Sequence, residues 1–125
     1  MTKLEIEYIF NSSPKVLFNR LSTASGLSEW FADDVYVKEN IFTFVWDGIE
    51  EKAELLGKKD LSFVKFKWLD NGSDECYFEF KIQIHELTNE IALIVTDFAD
   101  DDEIDEVTEL WETQINKLKY ILGAV

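Results

Sequence analysis

The stretch Asp100–Leu122, DDDEIDEVTELWETQINKLKYIL, sets Ile104, Val107, Trp111, Ile115, Leu118 and Leu122 at intervals of three and four. That spacing stacks side chains on one face of an α-helix. Leu110 and Ile121 widen the apolar face in this reading. Asp100, Asp101, Asp102, Glu103, Asp105 and Glu106 gather at the start, where backbone N–H groups are free to be capped and the helix dipole is positive. Lys117 and Lys119 lie near the opposite end, and Gly123 supplies a stop. A long helix with one greasy face needs a surface to cover, and the preceding residues are expected to build it.

From Lys3 to Phe10 the chain alternates, with Leu4, Ile6, Tyr8 and Phe10 on one side, as in a half-buried strand. Ser12 or Ser13 can cap a helix whose first turn accepts Pro14, because proline lacks the N–H that would be orphaned there. Val16, Leu17, Phe18 and Leu21 form that helix's stripe. Past the break at Ser22–Ser25 and the bend at Gly26, a second short helical segment carries Leu27, Trp30 and Phe31 and ends at Asp33-Asp34. Val35–Asp47 then reads as one strand region, with Phe42, Phe44 and Trp46 on one face.

Asp47-Gly48 marks a tight turn, Glu51–Leu56 alternates weakly, and Gly57–Asp60 is the next turn signal. Phe63–Leu69 is a clearer strand, with Val64, Phe66 and Trp68 together. A turn at Asp70–Ser73 leads into Glu75–His85, with Cys76, Phe78, Phe80, Ile82 and Ile84 inward. Thr88-Asn89 turns into a last strand, Glu90–Phe98. Consecutive strands joined by short turns make an antiparallel sheet. The fold class expected is α+β: a curved antiparallel sheet wrapped around the C-terminal helix, with two short helices after the first strand, in one domain spanning residues 1–125.

With 46% hydrophobic and 14% aromatic residues, the chain can build a core without disulfides or metals. Its 26 acidic against 12 basic residues leave a net charge of −14, which repels phosphate backbones and anionic membranes. Lys58-Lys59 is the single adjacent basic pair. Nucleic acid is therefore not an expected partner, and no apolar run is long enough for membrane insertion. One cysteine excludes an internal disulfide, and without an apolar N-terminal leader the expected compartment is the cytoplasm.

The element order resembles the helix-grip fold of the START-like (SRPBCC) superfamily, which includes birch-pollen-allergen-like proteins, polyketide cyclases and homologues of a heat-shock chaperone ATPase activator. Two segments are similar to the activator-homologue branch: Gly26–Ala32 (GLSEWFA), like its Leu-x-x-Trp-Phe element, and Leu110–Leu122, like its closing helix. The resemblance implies a cavity between sheet and helix that holds an apolar or lipid-like molecule. It also admits a protein-interaction role or, in some branches, cyclase or hydratase chemistry.

No catalytic constellation is legible. His85, the sole histidine, is placed outward near a turn, and Cys76 falls on the apolar face, where a thiol is inert. The acidic run lacks the ligand spacing and mid-loop glycine of a calcium loop, so neither metal nor cofactor is expected. Asp33-Asp34 reads as a helix end. Enzymatic chemistry would fall to Tyr8, Thr96 or Asp97. The remaining constellation is aromatic, and as a lining for a hydrophobic ligand it comprises Trp30, Phe31, Phe42, Phe44, Trp46, Phe66, Trp68, Phe78, Phe80 and Trp111, with Ile115. The expected function is non-catalytic binding of a small apolar or amphipathic molecule. A protein partner or a homodimer is the alternative.

Overall fold

The computed structural model describes residues 1–69 and 76–123. The turn read at Asp70–Ser73 lies outside the described residues. Strand β1 (Thr2–Phe10) is followed by helices α1 (Pro14–Ser22) and α2 (Ala24–Leu27). Strands β2 (Asp34–Lys38), β3 (Ile41–Trp46), β4 (Ile49–Lys59), β5 (Phe63–Trp68), β6 (Phe78–Ile84) and β7 (Ile91–Ala99) come next, and helix α3 (Ile104–Ile121) ends the fold. All seven strands form one antiparallel sheet in the order β1-β7-β6-β5-β4-β3-β2.

The local signals act as their chemistry requires. The Ser13 hydroxyl caps α1 by accepting from the Val16 N–H at 3.1 Å, and Pro14 occupies the first turn. Asp47 and Gly48 both take positive φ, 52° and 78°, the conformation of a two-residue hairpin turn whose twist matches its strands. Gly26 permits the close approach of α2 to α1. A Cβ there would stand 2.4 Å from the Asn19 carbonyl oxygen.

Several expectations need correction. Val35–Asp47 is two strands, because Glu39 takes a positive φ of 57° and opens a hairpin at Glu39-Asn40. Gly57–Asp60 is not a turn: β4 runs on to Lys59, absorbing a bulge between Leu55 and Gly57, and the chain reverses at Asp60–Ser62. Val16 and Ile84 remain 42% and 50% exposed, so the buried stripes of α1 and β6 are one residue narrower than their patterns suggest. The acidic run opens as a 3-10 turn, Asp101–Glu103, and no side chain caps α3. Its carboxylates still lie at the positive end of the helix dipole, and Asp101 accepts from the Thr2 hydroxyl.

The core lies between the concave face of the sheet and the helices. Trp111, Ile115 and Leu118 of α3 are buried, whereas Leu110, expected to widen that face, is 60% exposed. Fully burying a side chain of Ile115's size contributes about 1.5–3 kcal/mol. Across the other face of the sheet, the register sets Glu54 opposite Lys67 and Lys65 opposite Glu79, so opposite charges cover the solvent side.

Candidate functional site

The register of β3 and β4 builds one wall of a cavity. With the turn at Asp47-Gly48, Trp46 pairs with Ile49, Phe44 with Glu51, and Phe42 with Ala53. Directly paired residues share a face. Glu51 is thereby carried onto the concave side beside aromatic rings. On the adjoining strand Trp68 pairs with Ala53, and on β7 Asp97 pairs with Leu4 of β1, which places both on the same side.

Helix α3 roofs this surface unevenly. Ile115 and Leu118 seal against the sheet, while its first turns leave a cavity of about 430 Å³ lined by Phe31, Trp46, Glu51, Trp68, Asp97, Val107, Leu110, Trp111 and Gln114. That volume lies within the range of small-molecule sites. A smaller space of about 220 Å³ opens on the other side of Phe31, Trp46 and Gln114 and reaches Trp30, Asp33 and Lys117.

Hydrogen bonds fix the walls. The Trp111 indole Nε1–H donates to Asp97 Oδ2 at 2.8 Å, and the Phe98 backbone N–H donates to Asp97 Oδ1 at 2.8 Å. The Phe31 carbonyl oxygen accepts from Trp46 Nε1–H at 2.8 Å and from Gln114 Nε2–H at 3.0 Å. Phe31 is the hub: its ring stacks on Trp111 at 5.7 Å and meets Trp46 edge-on at 5.3 Å. Burial raises the Asp97 pKa above its ordinary value, an effect the two donors oppose.

Of the aromatic set read from sequence, Phe31, Trp46, Trp68 and Trp111 line the larger cavity. Phe42, Phe44, Phe66, Phe78, Phe80 and Ile115 are buried behind it in the core. Trp30 is buried as well, with its Nε1–H donating to the Arg20 carbonyl oxygen at 2.8 Å. Among the polar candidates, Asp97 faces the cavity. Tyr8 is on the concave side of β1, its hydroxyl buried with no hydrogen-bond partner among the described residues. Its pKa is raised by burial and by Glu112. Thr96 pairs with Glu5 and Glu79 on the opposite face of the sheet and does not reach the cavity.

His85 is exposed at the β6–β7 turn, and Cys76 is buried with its thiol 3.2 Å from the Met1 sulfur. Asp100, Asp102 and Glu103 bring carboxylate oxygens within 4.8 Å of one another, all on exposed residues. The sequence reading covers Glu51 and Gln114 but does not single out either as a site residue. The Asp47-Gly48 turn held the signal for Glu51, because a two-residue hairpin fixes the register that sets it opposite Phe44.

An antiparallel sheet closed over one long C-terminal helix, with a cavity left between them, is the helix-grip arrangement. The chain belongs to the START-like superfamily, whose domain model matches residues 1–124. It is 37% identical to BfR322 from Bacteroides fragilis, solved by NMR, over 96% of this chain and 90% of that one, with a TM-score of 0.69. The Aha1 dimer from Colwellia psychrerythraea is 17% identical over 98% of this chain and 96% of that one, with a TM-score of 0.82. DynU16, a protein of the dynemicin biosynthetic locus, is 14% identical over 98% of this chain and 48% of that one, with a TM-score of 0.78. At such low identity the last two establish the fold alone. No curated protein matches the sequence. Among the described residues no helix is long and apolar enough to cross a membrane.

Proposed function

We propose that residues 1–125 form one START-like domain that binds a small apolar or amphipathic molecule between sheet and helix, without transforming it. The supporting observation is the cavity of about 430 Å³ walled by Phe31, Trp46, Trp68 and Trp111. Transfer of a ligand's apolar surface from water onto these rings contributes about 25 cal/mol per Å² buried. The titratable groups on the lining are two carboxylates, Glu51 and Asp97. Among the described residues of the lining, neither a histidine nor a thiol stands beside them to complete a nucleophile–base pair. The same reading takes the cytoplasm as the compartment, in keeping with one buried, unpaired cysteine.

Native mass spectrometry of the gently purified protein, followed by solvent extraction, tests the proposal. A bound apolar molecule released on denaturation is the expected result. A clean apo mass that does not shift with a panel of lipids and small hydrophobes overturns it. A second reading, docking of a protein partner, draws on the exposed acidic side of α3, which carries Asp105, Glu106, Glu109 and Glu112. Under that reading, replacing these residues by lysine weakens a complex recovered from the native source and reduces its salt dependence. Unchanged binding rejects it.

A further inference from the structure

The polar groups around the aromatic-walled cavity are unevenly allotted. Among the described residues its lining contains two carboxylates, Glu51 and Asp97, and no lysine, arginine or histidine. Among the described residues, neither carboxylate is paired with a basic side chain. The donors beside them are already committed. Trp111 gives its indole N–H to Asp97, Trp46 gives its own to the Phe31 carbonyl, and Gln114 donates to that same carbonyl. Each Asp97 oxygen accepts one hydrogen bond and keeps a second acceptor site. A carboxylate beside an apolar wall, Asp97 above all because it is largely buried, attracts a positive charge.

The rest of the wall favours the same sign. Phe31, Trp46, Trp68 and Trp111 are aromatic, and an aromatic π-system attracts a cation held near its face, tryptophan most strongly. The net charge of −14 adds a field that draws cations and repels anions. A fatty acid or a phosphate ester entering here would set its own negative charge beside two carboxylates. A weakly hydrated organic ammonium loses little by leaving water and gains both the rings and the acids.

Resting on the proposal that this cavity takes an apolar ligand, we infer that the ligand is an amphipathic organic cation. Its apolar body lies against Val107, Leu110 and the aromatic rings, and its ammonium group lies by one carboxylate of the lining, Glu51 or Asp97. The cavity is thus a selective site for amines or quaternary ammonium compounds, not a general lipid slot.

Three probes of nearly one shape separate the possibilities: phenyltrimethylammonium, its neutral isostere tert-butylbenzene, and 4-tert-butylbenzoate. Binding is followed at low salt through indole N–H chemical shifts and tryptophan fluorescence. The cation is expected to bind at least about tenfold more tightly than the neutral isostere, and the carboxylate more weakly than either. Glu51 is exposed, so Glu51→Gln and Glu51→Lys leave the fold in place. The first should cut the cation's advantage severalfold, and the second should reverse it in favour of 4-tert-butylbenzoate. Asp97→Asn, checked for folding by its NMR spectrum, should also cut that advantage. If tert-butylbenzene binds as tightly as the cation, or 4-tert-butylbenzoate binds most tightly, the inference falls while the apolar-cavity reading stands. If none of the three perturbs the indoles, both fall together.

Discussion

Phe66 and Trp68 are two residues apart on β5 and face the same way, yet they sit in different surroundings. Phe66 is fully buried, stacked on Phe78 at 5.0 Å and edge-on to Phe42 at 5.0 Å. Trp68 also contacts Phe78, at 4.8 Å, but its outer side forms cavity wall. The division runs through the whole aromatic layer. Phe42, Phe44, Phe66, Phe78 and Phe80 make a closed core, while Phe31 and Trp111, buried in the same cluster, join the partly buried Trp46 and Trp68 in a rim that turns one side to the cavity. The covering helix draws the boundary, because its second half fills the space above the sheet and its first turns do not. Rings at the rim therefore face a vacant volume, and two of the three indoles there are held by hydrogen bonds.

The largest effect should come from the closed side. Phe66→Ala is expected to cost about 3–5 kcal/mol, the usual loss for an aromatic ring removed from a packed core. Trp68→Ala, already half relieved of packing, should cost clearly less. Paired urea denaturation curves read the difference, and equal losses would erase the distinction between core and rim.

Next comes the anchor at the rim. Trp111→Phe keeps the ring but withdraws the N–H from Asp97 Oδ2, leaving a largely buried carboxylate one donor short at a cost of about 1–3 kcal/mol. Asp97→Asn on that background should recover part of the loss. A double-mutant cycle with no coupling would show that the indole position depends on packing alone.

A smaller effect should appear as pH dependence. Asp97 has a folded pKa above its ordinary 3.8, so the folded state holds that proton more tightly than the unfolded chain. Its contribution to stability grows as pH falls from above the folded pKa toward 3.8, and diminishes as pH rises through the same window. Subtracting the Asp97→Asn curve from that of the native protein isolates this residue from the other carboxylates. The difference should slope downward with rising pH. A flat difference would mean that Asp97 is solvated as a surface acid.

The smallest stability change belongs to Leu110, which is 60% exposed and lines the cavity. Leu110→Ser should move stability by no more than about 0.5 kcal/mol while weakening the binding of tert-butylbenzene severalfold. A large loss of stability with binding intact would place Leu110 with the core.

Much of the fold was legible because its signals are local. The period of α3, the cap at Ser13-Pro14, the turn at Asp47-Gly48 and the alternation of Phe63–Trp68 each depend on residues a few positions apart. The misreadings arose where local chemistry allows two outcomes. Glu39 has no special liking for positive φ, yet the pairing of β2 with β3 holds it there. Gly57 looks like a turn residue, yet cross-strand bonds to β5 carry β4 past it. The site was less legible. Its aromatic residues were named together, but no pattern along the chain divides core from rim, since Phe66 and Trp68 differ only in what α3 sets above them.

By itself the sequence determined the kinds of element, the concave and convex faces of most strands, the acidic character and an excess of aromatic side chains on the inner face. Each follows from backbone periodicity, turn chemistry and charge counting, which need no partner distant in the chain. Only the tertiary structure decided that Glu51 and Asp97 meet at one cavity, that the Trp111 N–H is spent on Asp97, and that Leu110 lines a vacant space. Those outcomes depend on where a helix at one end of the chain settles over strands as distant in the chain as β1. That placement is set by the summed packing of Trp111, Ile115 and Leu118, not by any residue's own preference.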